Sequence, residues 1–482
     1  MTVRRIRTNS SGRGTSGSGE SRGRHLLVTF FCYHPAMNRR SLLRQTSALT
    51  LGFLGLKALS QKSAYAQTGS PYGPLVVDPA RLLNLPAGFR YVAISRTGER
   101  MDDGLLVPGL HDGMGAFPGP DGRTIIVRNH EMGQGAPMHA DVDKKLIYDP
   151  GKGVTPGLGG TTNLNFNTET QRLEKHFLTL TGTIRNCAGG VTPWNTWISS
   201  EETNLRPAAN NSLEADHGYN FEVNAYQSGL LEPLPLKAMG RMSHEAVAFD
   251  PKGVIVYQTE DRGDSLFYRF LPAVPGELWR GGRLQALVVR DRLGLDTRNN
   301  SASQTPVPVG EVFDCAWVDV EQPESPGDNL RAQGFSKGAA RFSRGEGAWT
   351  SPEAVWFVST DGGRAGKGQV WRYVPSPYEG RRGEIRFPGR LELFFEPNDA
   401  SIIDNPDNIV IAPWGDLFLC EDGPGPNGVV LVTQDGEAYS FAVNVLNSGE
   451  MCGACFSPDG STMFVNMQSP GITFAITGPW RR

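Results

Sequence analysis

The stretch SHEAVAFDPKGVIVYQTED, residues 243–261, reads as two apolar strands folded about a Pro-Lys-Gly turn. Glu245 stands at its start, Glu260 and Asp261 at its end, and no acid lies on the strands between. Folding the chain about the turn sets Glu245 opposite Thr259 and Glu260, so antiparallel pairing gathers these carboxylates at the open end of the hairpin. The unit recurs as DGRTIIVRNHE (121–131), TPWNTWISSEE (192–202), SPEAVWFVSTD (351–361), APWGDLFLCED (412–422) and SPDGSTMFVNMQ (457–468). Each has a turn of Pro, Gly or Asp, a strand rich in β-branched or aromatic residues, and a polar or acidic end. The strand before each turn adds a second polar residue. His111 or Asp112 falls opposite Asn129 to Glu131, Cys187 opposite Ser200 and Glu201, Glu346 opposite Ser359, Asp407 opposite Glu421, and Glu450 opposite Gln468.

Six such units predict an all-β chain, a six-bladed β-propeller with a metal cluster at the mouth of its central channel. The 59 Gly, 34 Pro and 9% aromatic residues, with no long helical periodicity, agree with many short strands joined by turns. The long gap between Asp261 and Asp361 predicts a loop insertion over the mouth. A net charge of -3 with no basic stripe excludes nucleic acid as a partner.

Residues 1–36 are rich in Ser, Gly and Arg and read as a disordered extension, or as an over-extended gene start with Met37 the true first residue. Residues 37–66 place Arg39 and Arg40 before an apolar run from Ala48 to Leu56 and end in Ala64-Tyr65-Ala66. That order predicts an export signal whose apolar part is too short to span a bilayer, and NRRSLLR is similar to the twin-arginine signal. The expectations are the twin-arginine export machinery as partner, a periplasmic or extracellular location, no stable membrane insertion, and a monomeric single domain of residues 67–482. Five cysteines follow the signal, an odd number for a disulfide framework.

Any one acid at a strand end is ordinarily just a solvated turn flank. Six blade ends converging on one cavity are different, because like charges cannot all ionise there unless cations hold them. Glu202, Glu260, Asp261, Asp407, Asp422 and Glu450 are hard oxygen donors suited to calcium, and Cys187 as thiolate suits a transition metal. Arg344 lies two residues before Glu346 and shares its face, a placement that suits a clamp for a tetrahedral anion or a plain ion pair. Cys452-Gly-Ala-Cys455 is a lone pair of cysteines and reads as a local disulfide or two packed thiols rather than a zinc site. HExxH and Walker motifs are absent.

The motifs NRRSLLR, RNHE, CAGGVTPWNTWISSEE, GRMSHEAVAFDP, TED before RGDSLFYRFLP, FSRGEG, DNPDNIVIAP and SGEMCGACFSPDGSTMFVNMQSPGIT together resemble the PhoX-type alkaline phosphatases. That resemblance implies a twin-arginine-exported six-bladed propeller with two ferric irons (Fe3+), three calcium ions (Ca2+) and a bridging oxo group, cleaving small-molecule phosphomonoesters. By motif it implies that Cys187, Glu245 and Glu346 are iron ligands and Arg344 a phosphate contact. Glu202, Asp261, Asp407 and Glu450 would serve the calcium-rich part, and Asn129 and His130 would make substrate or supporting contacts. The chain departs from larger members in reading Arg344-Gly345-Glu346 for their RPE, and Gln468-Ser469-Pro470-Gly471 for their QHPG. Two other classes fit the residues alone: a calcium-rigidified propeller that binds without turnover, and a calcium-dependent propeller hydrolase of lactones or other esters.

Overall fold

Alternating strand patterns and turn residues give this chain a succession of antiparallel hairpins. A computed structural model describes residues 69–136, 142–153 and 155–481. The 1–36 extension and the 37–66 signal lie outside them. The described residues are all-β and propeller-like, with one short α-helix, Leu330–Ser336. None of their helices is long and apolar enough to cross a membrane.

Each sequence unit folds as a hairpin. Hairpin 1 pairs His111–Pro118 with Thr124–His130, and hairpin 2 pairs Asn186–Val191 with Thr196–Glu201. Hairpin 3 pairs His244–Phe249 with Val256–Glu260, and hairpin 4 pairs Gly345–Thr350 with Val355–Ser359. Hairpin 5 pairs Pro406–Ile411 with Leu417–Glu421, and hairpin 6 pairs Met451–Phe456 with Thr462–Met467. Further strands continue each sheet outward, and the sheet of hairpin 6 is completed by Arg90–Arg96 from the other end of the chain. That pairing ties the N-terminal strand to the C-terminal sheet, as in closed radial folds.

Five hydrogen-bonded sheets result among the described residues. Hairpins 3 and 4 share a nine-stranded sheet, because Val312–Val320 pairs on one edge with Gly282–Val289 and on the other with Arg390–Phe395. The segment between Asp261 and Asp361, where a loop insertion over the mouth is expected, holds the strands Tyr268–Pro272, Gly282–Val289 and Val312–Val320, the short helix and hairpin 4, with irregular chain between Val289 and Val312 and between Val320 and Leu330. The first strands of hairpins 1 to 6 pack against one another in order, and that of hairpin 6 returns to that of hairpin 1. Apolar side chains fill the gaps between sheets: Phe267 stacks on Phe357 between hairpins 3 and 4, and Phe418, Phe456 and Trp480 cluster between hairpins 5 and 6.

Candidate metal centre

The first strand of every hairpin carries a β-bulge at the same place. Register shifts fall between His111 and Met114, Asn186 and Gly189, His244 and Val247, Gly345 and Ala348, Pro406 and Ile409, and Cys452 and Cys455. A bulge sets two residues against one and re-aims a side chain. The residue entering each bulge is Asp112, Cys187, Glu245, Glu346, Asp407 and, in hairpin 6, Gly453. Five of the six are ligand-type. The next residue is small in five hairpins, namely Gly113, Ala188, Ala246, Gly347 and Ala454, because neighbouring backbones approach closely there. A Cβ at Gly113 would lie 2.6 Å from Ala188 Cα, and one at Gly347 2.7 Å from Asn408 Cα.

A second circle comes from the residue just past each second strand: Glu131, Glu202, Asp261, Thr360, Asp422 and Gln468. Their backbone N–H groups donate to the carbonyls of a third circle, Leu110, Arg185, Ser243, Arg344, Asn405 and Glu450, at 2.7–3.1 Å. The inner circle is buried, whereas Arg185 and Arg344 of the third keep 47% and 40% of their side chains exposed.

Together the circles concentrate donors. Ligand atoms of Cys187, Glu202 and Glu245 lie within 4.8 Å of one another, as do those of Glu245, Glu346 and Asp407, of Asp112, Glu131 and Cys187, and of Asp112, Glu450 and Cys452. Cys187 Sγ is 3.1 Å from Glu245 Oε1 and 3.8 Å from Asp112 Oδ1. Gln468 Nε2 donates to Asp112 at 3.0 Å, Glu131 at 3.0 Å and Glu450 at 2.7 Å. Arg344 meets Asp261 through Nε at 2.7 Å and Nη2 at 3.0 Å, and its Nη2 lies 3.0 Å from Glu346 Oε1. Arg185 holds Glu131 through Nε at 2.9 Å and Glu202 through Nη2.

Burial, then the charges of Asp407, Glu202 and Asp112, hold the Glu245 carboxyl well above its ordinary range. Glu346 rises likewise by burial and by Asp261, Glu245 and Asp407, against the pull of Arg344. Asp112 rises through burial and Glu131, and burial with Asp422 pushes Asp407 up to about 7. Burial pushes the Cys187 thiol up as well, aided by Asp112 and Glu245. Glu245 Oε2 is a buried oxygen with no hydrogen-bond partner. A buried set of carboxylates with an orphaned oxygen and a thiol is a donor set that cations satisfy, so the residues present fit a metal cluster.

The family model described as alkaline phosphatase PhoX matches residues 70–471. The chain belongs to the PhoX alkaline phosphatase family. It is therefore a phosphoric monoester hydrolase of a metal-dependent family. No curated protein sequence is similar to it. Among solved structures, Pseudomonas fluorescens PhoX in complex with vanadate, a transition state analogue, matches with a TM-score of 0.60 at 16% identity, covering 84% of this chain and 97% of that one. A gluconolactonase from Xanthomonas campestris matches with a TM-score of 0.41 at 12% identity, covering 85% and 99%.

Within this PhoX-family fold, Cys187, Glu245, Glu346, Glu202, Asp261, Asp407 and Glu450 come together as their blade-end positions predict. Glu260 does not, and Asn129 and His130 lie beside the cluster in the supporting place, one of the two expected for them. Glu260 is the last strand residue, and adjacent strand residues face opposite ways, so Asp261 enters the mouth while Glu260 pairs with Arg331 and accepts from Tyr268 Oη at 2.8 Å. Arg331 and Tyr268 oppose the effect of burial there, leaving the carboxyl at about 7. Asn129 turns sideways to brace hairpin 1 on hairpin 2, donating to Cys187 O and Ala188 O at 3.0 and 2.6 Å and accepting from Trp197 and Ser199. His130 spans Gly109 O at 2.9 Å and Thr162 Oγ1 at 3.0 Å. Both are buried supports of the circle rather than members of it. All five described cysteines are free thiols, and Cys452 joins Asp112 and Glu450 instead of bonding Cys455. Asp112, Glu131 and Arg185 were missing from the expected set. Their signal is equivalence in the repeat, since Asp112-Gly113 matches Glu346-Gly347 and Arg185 precedes Cys187 by two as Arg344 precedes Glu346.

Proposed function

We propose that the chain is an exported phosphatase that hydrolyses phosphomonoesters at an iron and calcium cluster in the mouth of a six-bladed propeller, with Arg344 binding the phosphoryl group. The observation that carries this reading is the inner circle, in which five hairpins offer Asp112, Cys187, Glu245, Glu346 and Asp407 from one bulge position. Counting the nine-stranded sheet as two blades joined by Val312–Val320 gives six blades, in accord with the closed order of the first strands.

Cys187, Glu245 and Glu346 combine a thiolate with carboxylates and suit ferric iron, while Glu202, Asp261, Asp407 and Glu450 offer oxygen alone and suit calcium. Bound there, the ions would polarise phosphoryl oxygens and activate an oxygen nucleophile. Arg344, its Nε and Nη2 spent on Asp261 and Glu346, has no protein partner for Nη1 among the described residues and directs a fixed cation at the incoming phosphoryl oxygens. The vanadate bound by Pseudomonas fluorescens PhoX supports an oxyanion site in this fold. Residues 37–66 would carry the protein through twin-arginine export to the periplasm or beyond, leaving a monomeric propeller as the mature form.

Metal analysis beside an aryl phosphate assay tests the reading. Purified protein should carry iron and calcium and release phosphate from p-nitrophenyl phosphate. Calcium without iron, together with no phosphate release, would overturn it.

A further inference from the structure

We infer that Arg185 is a second phosphate-binding residue, facing Arg344 across hairpin 3, and that the pair makes the mouth selective for a terminal phosphoryl dianion over a phosphodiester. The inference rests on the phosphatase reading and adds to it a residue and a substrate preference.

The two arginines are structural equivalents. Each precedes the bulged strand of its hairpin, and each accepts a backbone N–H through its carbonyl, from Glu202 at 2.7 Å for Arg185 and from Thr360 at 3.0 Å for Arg344. Both have left-handed φ values, 54° and 45°, so the two side chains leave the backbone from the same local conformation. Their contacts also match. Arg185 spends Nε on Glu131 and Nη2 on Glu202, Arg344 spends Nε and Nη2 on Asp261 and places Nη2 beside Glu346, and neither Nη1 has a protein partner among the described residues. Arg185 holds Glu202 and Arg344 holds Asp261, and these two acids are consecutive members of the second circle, on hairpins 2 and 3. Both guanidinium groups remain partly exposed, at 47% and 40%, where a ligand from solvent can reach them.

Charge explains why two are needed. The three circles hold nine carboxylates, of Asp112, Glu131, Glu202, Glu245, Asp261, Glu346, Asp407, Asp422 and Glu450, and Arg185 and Arg344 are their only cationic side chains. With cations balancing the carboxylates of the cluster, the two partly exposed guanidinium groups are the protein charges left at the rim for a phosphoryl anion to pair with. A phosphomonoester presents three terminal oxygens and two charges, enough to engage both guanidinium groups. A phosphodiester presents two such oxygens and one charge, and its second ester group occupies the position a third oxygen would take.

The test uses the full metal-loaded protein with Arg185→Gln, Arg185→Lys and Arg344→Gln. It reads KM and kcat on p-nitrophenyl phosphate and bis-p-nitrophenyl phosphate, inorganic phosphate binding by calorimetry, metal content and melting temperature. Arg185→Gln should raise KM for the monoester and weaken phosphate binding by roughly 10- to 100-fold, as expected for a lost charge-assisted hydrogen bond. It should also lower the monoester to diester preference with metal content unchanged, and Arg185→Lys should recover part of the phosphate affinity. Wild-type KM and phosphate affinity in Arg185→Gln, beside a weakened Arg344→Gln, would overturn the inference and leave the phosphatase reading standing. A loss in Arg185→Gln that tracks lost metal or a collapsed melting transition, with no recovery in Arg185→Lys, would overturn it too, because Arg185 would then only hold Glu131 and Glu202. Wild-type protein that neither binds nor releases phosphate would sink the reading beneath it.

Discussion

At the closed end of hairpin 3, Asp250 accepts backbone N–H groups from Val254 and Ile255 at 2.7 Å each and from Lys252 at 3.2 Å. At the open end of the same hairpin, five residues earlier in the chain, Glu245 meets the Cys187 thiol at 3.1 Å and leaves its second oxygen without a partner. The closed-end pattern repeats: Thr192, Ser351 and Ser457 also accept turn N–H groups with their side-chain oxygens. Open-end acids find other acids. A polar group satisfied by its own turn stabilises the fold, whereas a buried carboxylate facing like charges costs stability until something outside the chain neutralises it. The two ends of one hairpin thus separate what the fold requires of itself from what it holds ready for ligands.

Metal removal should break this contrast most completely. Chelation is expected to abolish phosphatase activity and to lower the melting temperature by about 3–5 °C, since ions held at 100 to 1,000 times their dissociation constants contribute about 3–4 kcal/mol and a domain of this size unfolds with roughly 2 cal/mol/K of entropy per residue. Calorimetry of the chelated and reloaded protein checks both. The chelated protein should also become pH-sensitive in a defined direction. Glu245, Glu346 and Asp112 have folded pKa values above their unfolded ones, so their contribution to stability is full below the unfolded carboxylate range and is lost as pH rises through the folded values. With Asp407 at about 7 and Glu202 at about 9, the melting temperature of the chelated form should fall between about pH 5 and 9, and that of the loaded form should change far less.

Single substitutions sharpen the comparison. Glu245→Gln should cut activity by more than about 100-fold with loss of bound metal, because it removes a donor from two of the clusters. In the chelated state the same variant should melt higher than wild type, having lost one repelling charge, and a lower melting temperature there would count against the picture of strained open ends. Arg344→Gln should spare metal content while raising KM by about 10- to 100-fold, the worth of one charged hydrogen bond.

Much of this was legible in the chain. The six turn-and-strand units can be read because period-two alternation and turn residues are local signals, and the strand opposite each turn follows from antiparallel pairing alone. Val312–Val320 is different: its place depends on two partner strands, one before it and one after it in sequence, and nothing in DCAWVDV says which sheet it joins. Seven members of the candidate cluster could be read from blade-end positions, whereas Asp112, Glu131 and Arg185 were missed. Glu260 and Asp261 are adjacent acids, and only the register that ends the strand at Glu260 decides which of them enters the mouth. Asn129, expected to touch substrate or to support the site, takes the supporting place, since its side chain runs along the circle to the Cys187 and Ala188 carbonyls. The bulge itself, which selects Asp112 and its equivalents, has a faint signature in the small residue that follows, visible only when all six hairpins are aligned together.

The mildest test acts on the closed end. Asp250→Ala removes an acceptor from three backbone N–H groups of the hairpin 3 turn and touches none of the three circles. The loss should be about 1–3 kcal/mol of stability, the cost of leaving turn donors unpaired, read as a lower midpoint in denaturant with an unchanged slope. Activity and metal content at 25 °C should stay within about twofold of wild type, since the populations set by a few kcal/mol still leave a folded majority. If Asp250→Ala instead lost metal, the turn and the mouth would be coupled along the strand, and the division between the two ends of the hairpin would fail. Val256 to Glu260 and the bulge at Glu245 argue for independence, because the bulge interrupts the ladder that would transmit a shift from the turn.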